Sequence, residues 1–120
     1  MYPKNAYLYP TKQTTEMPKY ELEKTYTHLT YTQDMLDHTD FEGCVFNQCN
    51  FTEATFVGVT FIDCTFNNCN FNNAKINYVA FRTAHFNKCK IKDVNFAMCD
   101  KLIFEIHFKD CILDFSKFYA

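Results

Sequence analysis

Large apolar residues recur at every fifth position between residues 41 and 96. An α-helix places every 3.6th residue on one face and a β-strand every second residue, so a period of five fits neither element. A repeat architecture is therefore the first hypothesis for this part of the chain. The series, which we term the central positions, comprises Phe41, Phe46, Phe51, Phe56, Phe61, Phe66, Phe71, Ile76, Phe81, Phe86, Ile91 and Phe96.

A second series lies two residues before each central position and is almost entirely small and apolar. It indicates that each five-residue unit has two inward positions and three outward ones, and the outward ones are mostly Asn, Thr, Asp, Glu, Lys or Gln. These small inward positions are Thr39, Cys44, Cys49, Ala54, Val59, Cys64, Cys69, Ala74, Val79, Ala84, Cys89 and Val94.

Several units resemble the A-(D/N)-(L/F)-x-x repeat of the pentapeptide repeat family. The resemblance is carried by units such as residues 49–53 (CNFTE), 69–73 (CNFNN) and 94–98 (VNFAM). It implies an all-β fold, a right-handed quadrilateral β-helix of about four to five turns with four units per turn. In that fold the large residues stack centrally with the small ones beneath them. The motif is specific for fold and implies little about function.

The repeat phase also suggests the domain organisation. A chain of 120 residues is predicted to form one domain. Residues 1–25 lack the phase and contain three prolines, which predicts an irregular N-terminal arm, although the alternation over 21–27 also permits a short strand. The β-helix is predicted over 26–120, with an atypical first turn at 26–40 that caps the core.

The phase slips by two residues near 99–103. Lys101 stands where a large apolar residue is expected, and the series resumes at Phe108, Leu113 and Phe118. This pattern predicts a bulge at one corner, with Leu102 or Ile103 taking the central place. A second interpretation stays open, because insertions in repeat proteins often lie on the binding face.

Cysteines at the inward positions are predicted to be buried, reduced thiols. With four units per turn, residues twenty apart stack, and stacked side chains point in parallel rather than toward each other. The recurrence at five and twenty lacks the C-x2-C spacing of zinc sites, and no metal or other cofactor is predicted. Outward residues twenty apart stack too, so Asn47, Asn67 and Asn87 are predicted to form a hydrogen-bonded column.

Composition and motifs limit the function classes. The net charge is −2, and no signal peptide or membrane span is recognisable, which predicts a cytoplasmic protein without a membrane partner. The sequence has no Gly-rich phosphate loop, no Ser-His-Asp set in a recognisable context and no H-E-x-x-H motif. An enzyme is therefore not predicted.

Resemblance to the quinolone-resistance members of the family implies a partner, DNA gyrase, bound by imitation of duplex DNA. Residues 99–118 resemble the irregular stretch of those members. Charge argues against mimicry, because residues 40–120 hold nine acidic and eight basic residues. We therefore predict a non-catalytic protein-binding module, directed at gyrase or, alternatively, a structural scaffold for another protein with no topoisomerase role.

Two further surfaces are suggested by the pattern. Lys88, Lys90 and Lys92 form a basic patch, but no exposed aromatics are interleaved with it, so a solvated face is predicted rather than direct nucleic-acid binding.

No closing segment is recognisable after Phe118, so we expect either a truncated chain or an end covered by a partner. The residues predicted to form a homodimer through this end are Phe108, Leu113, Phe118 and Tyr119.

Overall fold

Nine β-strands and one short 3-10 helix build the part of the chain that the structure, a computed structural model, describes, namely residues 19–31 and 35–118. They form a β-solenoid of about four coils. The strands are β1 (Lys19–Leu22), β2 (Thr25–Thr27), β3 (Met35–Asp37), β4 (Thr39–Glu42), β5 (Val45–Asn47), β6 (Thr55–Val57), β7 (Thr60–Asn67), β8 (Ala80–Asn87) and β9 (Asp100–Lys109), and the 3-10 helix is Phe96–Met98.

All strand pairing is parallel. From β1 to β8 it joins residues twenty apart, so four five-residue units make one coil. The first face contains β1, β4 and the first halves of β7, β8 and β9. The second contains β2, β5 and the second halves of those three strands. Single bridges from Thr30 to Ile112 form the third face, and β3 and β6 belong to the fourth.

Most corners of the coil are formed by a residue in the left-handed conformation, two positions after the central residue. Gly43 and Gly58 adopt φ of +64° there, which glycine does without steric cost. Most other corners are non-glycine residues, such as Asn68 at +54° and Thr83 at +66°. The regular left-handed residue therefore turns the chain every five residues, which explains why the period fits neither helix nor strand.

Stacked phenylalanine rings fill the interior. The Phe66 ring lies 4.9 Å from that of Phe46 in the coil before and 4.7 Å from that of Phe86 in the coil after. Rings of neighbouring faces meet edge to face, as for Phe61 and Phe66 at 76°. Both are geometries that aromatic pairs favour. All twelve central residues from Phe41 to Phe96 are buried.

The cysteines are free thiols inside this core. The Cys64 thiol donates to the carbonyl of Phe41 in the preceding coil at 3.3 Å, and Cys69 donates to that of Phe46 at 3.3 Å. Burial raises the pKa of Cys64 and of Cys99 to about 12, so both stay protonated at neutral pH. They act as small apolar residues with weak donors.

The predicted phase slip corresponds to an irregularity between β8 and β9. The partner spacing is 20 residues at Ala80 and Asp100, 23 at Arg82 and Glu105, and 22 from Ala84 onward. Three residues are thus inserted before Glu105, and one is removed after it. The net shift of two is the one visible in the sequence.

The prediction that Leu102 or Ile103 takes the central place is wrong. Both side chains are 65% exposed, whereas Phe104 packs against the core. Because Glu105 pairs with Arg82, the residue before it takes the place above Phe81.

The predicted boundary at residue 26 also needs correction. Strand β1 lies within the predicted arm 1–25 and pairs with β4, which places Glu21 beside Phe41 at a central position. Backbone pairing of this kind needs no apolar side chain, so the coil continues where the phase is lost. The rest of the predicted arm, residues 1–18, lies outside the described residues, as do residues 32–34 and 119–120.

Candidate interaction surfaces

Four exposed apolar side chains, which we term the bulge patch, lie in two adjoining places. Tyr78 and Met98 are at the corner between the fourth and first faces, and Leu102 and Ile103 are in the bulge of β9 on the first face. Tyr78 is 70% exposed, Leu102 and Ile103 are 65% exposed, and Met98 is 39% exposed. The Tyr78 N–H donates to the Met98 carbonyl at 2.8 Å, so the two residues lie in adjacent coils. Tyr78 was not predicted from the sequence to be a contact residue. The signal that could have indicated it is a tyrosine at an outward corner position.

Lys101 fixes the backbone from which the bulge patch projects. Its ammonium donates to the carbonyls of Phe96 at 2.8 Å, Ala97 at 3.2 Å and Cys99 at 3.2 Å. It also lies 4.7 Å from the ring centroid of Phe104, a cation–π distance. An ammonium group has three donors, and all three are used here. Lys101 therefore anchors the bulge instead of interrupting the core.

Four carboxylates form an acidic patch on the first face and its corner with the second, in the coils near the N-terminus. They are Glu23, Asp40, Glu42 and Asp63. The Tyr20 hydroxyl donates to Glu42 at 2.7 Å, but among the described residues no cationic side chain lies within ion-pair distance of the four.

Charge is segregated along the solenoid, which the near-neutral total conceals. The described residues up to 63 hold seven acidic and two basic residues, a net charge of −5. Residues 64–118 hold five acidic and eight basic residues, a net charge of +3. The near-neutral total therefore does not describe the two parts of the described chain taken separately.

The basic patch meets an acidic row in the next coil. Lys90 pairs with Ile112, which places Asp110 beside Lys88 and Asp114 beside Lys92. Opposite charges on adjacent strands attract, so the field of the lysines is partly cancelled where they lie.

Amide side chains form a hydrogen-bonded ladder along the second face. Asn67 donates to Asn47 and Asn87 donates to Asn67, each at 3.0 Å. The predicted asparagine column therefore forms, and it uses its amides to join coils.

Titratable side chains meet on the last two coils without converging on a metal site. The rings of His85 and His107 stack with centroids 4.6 Å apart. His107 Nε2 lies 2.7 Å from a Glu105 carboxylate oxygen, and this hydrogen bond lowers the pKa of Glu105. Over the described part of the chain, no group of three or more His, Cys, Asp or Glu is placed to hold a metal ion.

The last coil ends in an apolar surface. Phe104, Phe108 and Leu113 are half-buried, and Phe118 is 37% exposed. Phe118 stacks on Phe96 with centroids 5.0 Å apart, and Phe108 packs edge to face against Phe118 at 5.9 Å. Three of the four residues predicted to mediate dimerisation therefore lie on one surface, while Tyr119 lies outside the described residues.

Comparison with known proteins agrees with this architecture. Residues 39–118 match a family model described as a pentapeptide repeat region. Comparison with curated protein sequences finds no match. The described part of the chain contains no helix with the length and apolar character needed to cross a membrane.

Solved structures of pentapeptide repeat proteins are similar at low identity. One, from the Arabidopsis thaliana thylakoid lumen, is 16% identical with a TM-score of 0.50, and the match covers 74% of this chain and 61% of that one. Another is trypsin-treated QnrB1, a plasmid-mediated fluoroquinolone resistance protein, at 14% identity, a TM-score of 0.43 and coverage of 77% and 57%. The chain thus spans about three-fifths of the length of these two proteins.

Proposed function

Because the chain belongs to the pentapeptide repeat family, we propose that it is a non-catalytic protein-binding module whose main contact surface is the bulge patch. The exposure of Tyr78, Met98, Leu102 and Ile103 carries this proposal. Clustered apolar side chains on a protein surface commonly mark interaction sites. Lys101 holds the underlying backbone in place, so a partner would meet a preorganised surface, which reduces the entropy lost on binding.

Affinity capture with the full chain tests this role. The double variant Leu102→Ser with Ile103→Ser is expected to lose the protein that the original chain captures. Leu22→Ser with Ile112→Ser is a matched control, because these residues are also exposed, at 48% and 45%, but lie elsewhere. Circular dichroism should show that both variants fold. Capture of the same proteins by both variants would contradict the proposal.

Within this class we put forward DNA gyrase as the partner, bound through the acidic patch as a mimic of duplex DNA. Two observations support it: residues 99–118 resemble the quinolone-resistance members, and the described residues up to 63 carry a net charge of −5. The dense negative charge of DNA dominates its attraction to proteins that bind it.

A supercoiling assay with purified gyrase, together with direct capture, tests that partner. The chain should alter supercoiling, and Asp40→Asn with Glu42→Gln should abolish the effect. If gyrase is neither captured nor affected, the alternative holds, a scaffold that binds another protein and has no topoisomerase role.

We also propose that the chain self-associates through the end surface of its last coil, the region of Phe108, Leu113, Phe118 and Tyr119. The exposure of Phe118, at 37%, supports this, because an apolar end can be buried against a second copy. Phe118→Lys is expected to give a monomer in sedimentation velocity. A monomer mass that does not change with concentration in the original chain would refute self-association.

The compartment that we propose is the cytoplasm. All seven cysteines are free thiols, which is the state that a reducing compartment maintains. Fractionation of cells that express a tagged full chain tests this assignment, and recovery of the tag outside the cytoplasm would overturn it.

A further inference from the structure

We infer that the first face binds a single partner segment with two unlike ends, apolar where it meets the bulge patch and cationic where it meets the acidic patch. This inference rests on the proposed protein-binding function and adds the chemistry and direction of the partner.

Two residues of each patch flank one continuous column of central positions. Asp40 and Glu42 flank Phe41, and Leu102 and Ile103 directly precede Phe104. Strand pairing connects Phe41 to Phe61 and Phe61 to Phe81, and Phe104 takes the next place above Phe81. Adjacent parallel strands are about 4.8 Å apart, so three coils separate the patches by about 14 Å along the axis.

The distribution of charge makes the two ends of this face different. The acidic patch has no cationic partner among the described residues, whereas Arg82, which lies between the two patches, is 3.9 Å from the Asp100 carboxylate and pairs in register with Glu105. The negative field is therefore left open at the N-terminal end and compensated toward the bulge. Complementary charge governs orientation and partner choice at interfaces, so lysine or arginine of the partner belongs at Asp40 and Glu42.

The second and third faces do not offer the same combination. On the third face the row of lysines lies beside Asp110 and Asp114, and on the second face the Asn67 and Asn87 amides are used in the ladder. On the first face, the acidic patch and the apolar bulge patch flank one column of the described coils. A helix rises 1.5 Å per residue, so a helical partner needs its apolar and cationic groups about nine residues apart.

Two synthetic helical peptides of identical composition test the inference with the full chain. In the block peptide, leucines occupy one end and lysines the other, about nine residues apart. In the mixed peptide, the same residues alternate. Fluorescence anisotropy should show the block peptide binding at least about tenfold more tightly. Carbodiimide cross-linking followed by mass spectrometry should join its lysines to Asp40, Glu42 or Asp63.

Matched variants separate the contribution of the acidic patch from that of acidic residues elsewhere. Asp40→Asn with Glu42→Gln is expected to weaken block-peptide binding about tenfold. The control, Asp110→Asn with Asp114→Asn, removes the same charge from the third face and should leave binding within about twofold. Equal affinity for both peptides, cross-links at Asp110 or Asp114, or no effect of the first variant would each overturn the inference.

Failure of this inference can be distinguished from failure of the proposed function. If Leu102→Ser with Ile103→Ser abolishes affinity capture while the peptide results fail, the bulge patch binds a partner of different chemistry. If affinity capture itself is unaffected by that variant, the protein-binding proposal falls, whatever the peptides show.

Discussion

The first and last described coils end the same solenoid with opposite chemistry. In the first coil, Lys19 and Lys24 stand at small inward positions and Glu21 at a central one. In the last coil, the matching positions hold apolar residues such as Ile106 and Phe104, both packed against the core. Inward-pointing charges protect a β-edge from pairing with another chain. The comparison therefore indicates that the first described coil resists pairing with another chain, whereas the last described coil offers an apolar surface.

Polar contacts satisfy the charges of the first coil. The Glu21 carboxylate pairs with Lys24 at 3.0 Å. Hydrogen bonds from Lys24 and from the Tyr26 hydroxyl lower the pKa of Glu21. Beside it is a cavity of about 200 Å³, lined also by Tyr31 and Leu36. Among the described residues, the first coil is thus polar and borders a cavity, whereas the last coil is apolar.

A column of rings in the middle of the solenoid gives the reference stability loss against which both ends can be compared. Phe66 is fully buried and stacks on rings in the coils before and after it. Phe66→Ala is expected to lower the free energy of unfolding by about 3–5 kcal/mol, because it removes buried surface and leaves a cavity. Urea denaturation followed by circular dichroism measures the change.

Phe118→Ala is the matched control at the apolar end. Phe118 is 37% exposed, so its loss should cost about 1 kcal/mol in a monomeric sample at low concentration. Equal losses for Phe66→Ala and Phe118→Ala would show that the last coil is buried as completely as the middle.

Lys101→Met tests whether Lys101 anchors the bulge. The change keeps an apolar stem of similar length but removes the ammonium that donates to three carbonyls. Hydrogen bonds to charged groups are worth about 1.5–3 kcal/mol, and Lys101 is exposed, so we expect a loss of about 2 kcal/mol in urea denaturation.

Lys117→Met provides the comparison, since Lys117 is an exposed lysine of the same coil with no side-chain hydrogen bond or ion pair among the described contacts. It should change stability by less than about 0.5 kcal/mol. If both variants lose the same amount, the carbonyl contacts of Lys101 do not stabilise the bulge.

Glu21→Phe would make the first end resemble the last. The new ring would extend the Phe41 column, and partial burial should stabilise the fold by about 1 kcal/mol in urea denaturation. We also expect new concentration-dependent association in sedimentation, because the edge loses an inward charge. An N-terminal end that stays monomeric in this variant would show that Glu21 is not what protects it.

The same variant has a defined pH dependence. The folded-state pKa of Glu21 is lowered, so its ionised form contributes stability above the ordinary carboxyl pKa, and that contribution is lost as the pH falls through the lower folded value. The stability advantage of Glu21→Phe over the original chain should therefore grow between about pH 6 and pH 3. An advantage that shrinks toward acid pH would contradict the assignment.

The sequence was informative wherever five-residue periodicity and side-chain type agree. It identified the central residues from Phe41 to Phe96, all of which are buried, and the asparagine column. It misplaced the residue at the bulge, because the phase reveals only the net shift of two and not the three-residue insertion followed by a one-residue deletion.

Two features were indicated weakly or not at all by the pattern. The alternation over 21–27 permits a short strand, but the start of β1 at Lys19 and its backbone pairing with β4 are not revealed by the side chains at Lys19 and Glu21. The anchoring role of Lys101 depends on carbonyls that the bulge itself brings together. In the sequence, Lys101 therefore shows only as an interruption of the apolar series. Both belong to the end coils, where backbone geometry rather than core packing decides the structure.

Thr83→Asn tests the corner that lies beneath the irregular last coil. Thr83 is β-branched and adopts φ of +66°, a conformation that costs most residues about 1–2 kcal/mol but that asparagine tolerates. Among the described residues, the side-chain hydrogen bond at risk is a long one to Glu105 at 3.4 Å. We therefore expect a gain of about 0.5–1 kcal/mol in urea denaturation.

Thr65→Asn is the matched control, because Thr65 lies in a regular part of β7 with no left-handed backbone. There asparagine only lowers β-propensity, so this change should be neutral or slightly destabilising. A gain of equal size at both positions would mean that the corner is not strained. A gain in stability at Thr83 alone would show that the corner beneath the last coil is strained, in contrast to the glycine corner at Gly43 in the N-terminal coils.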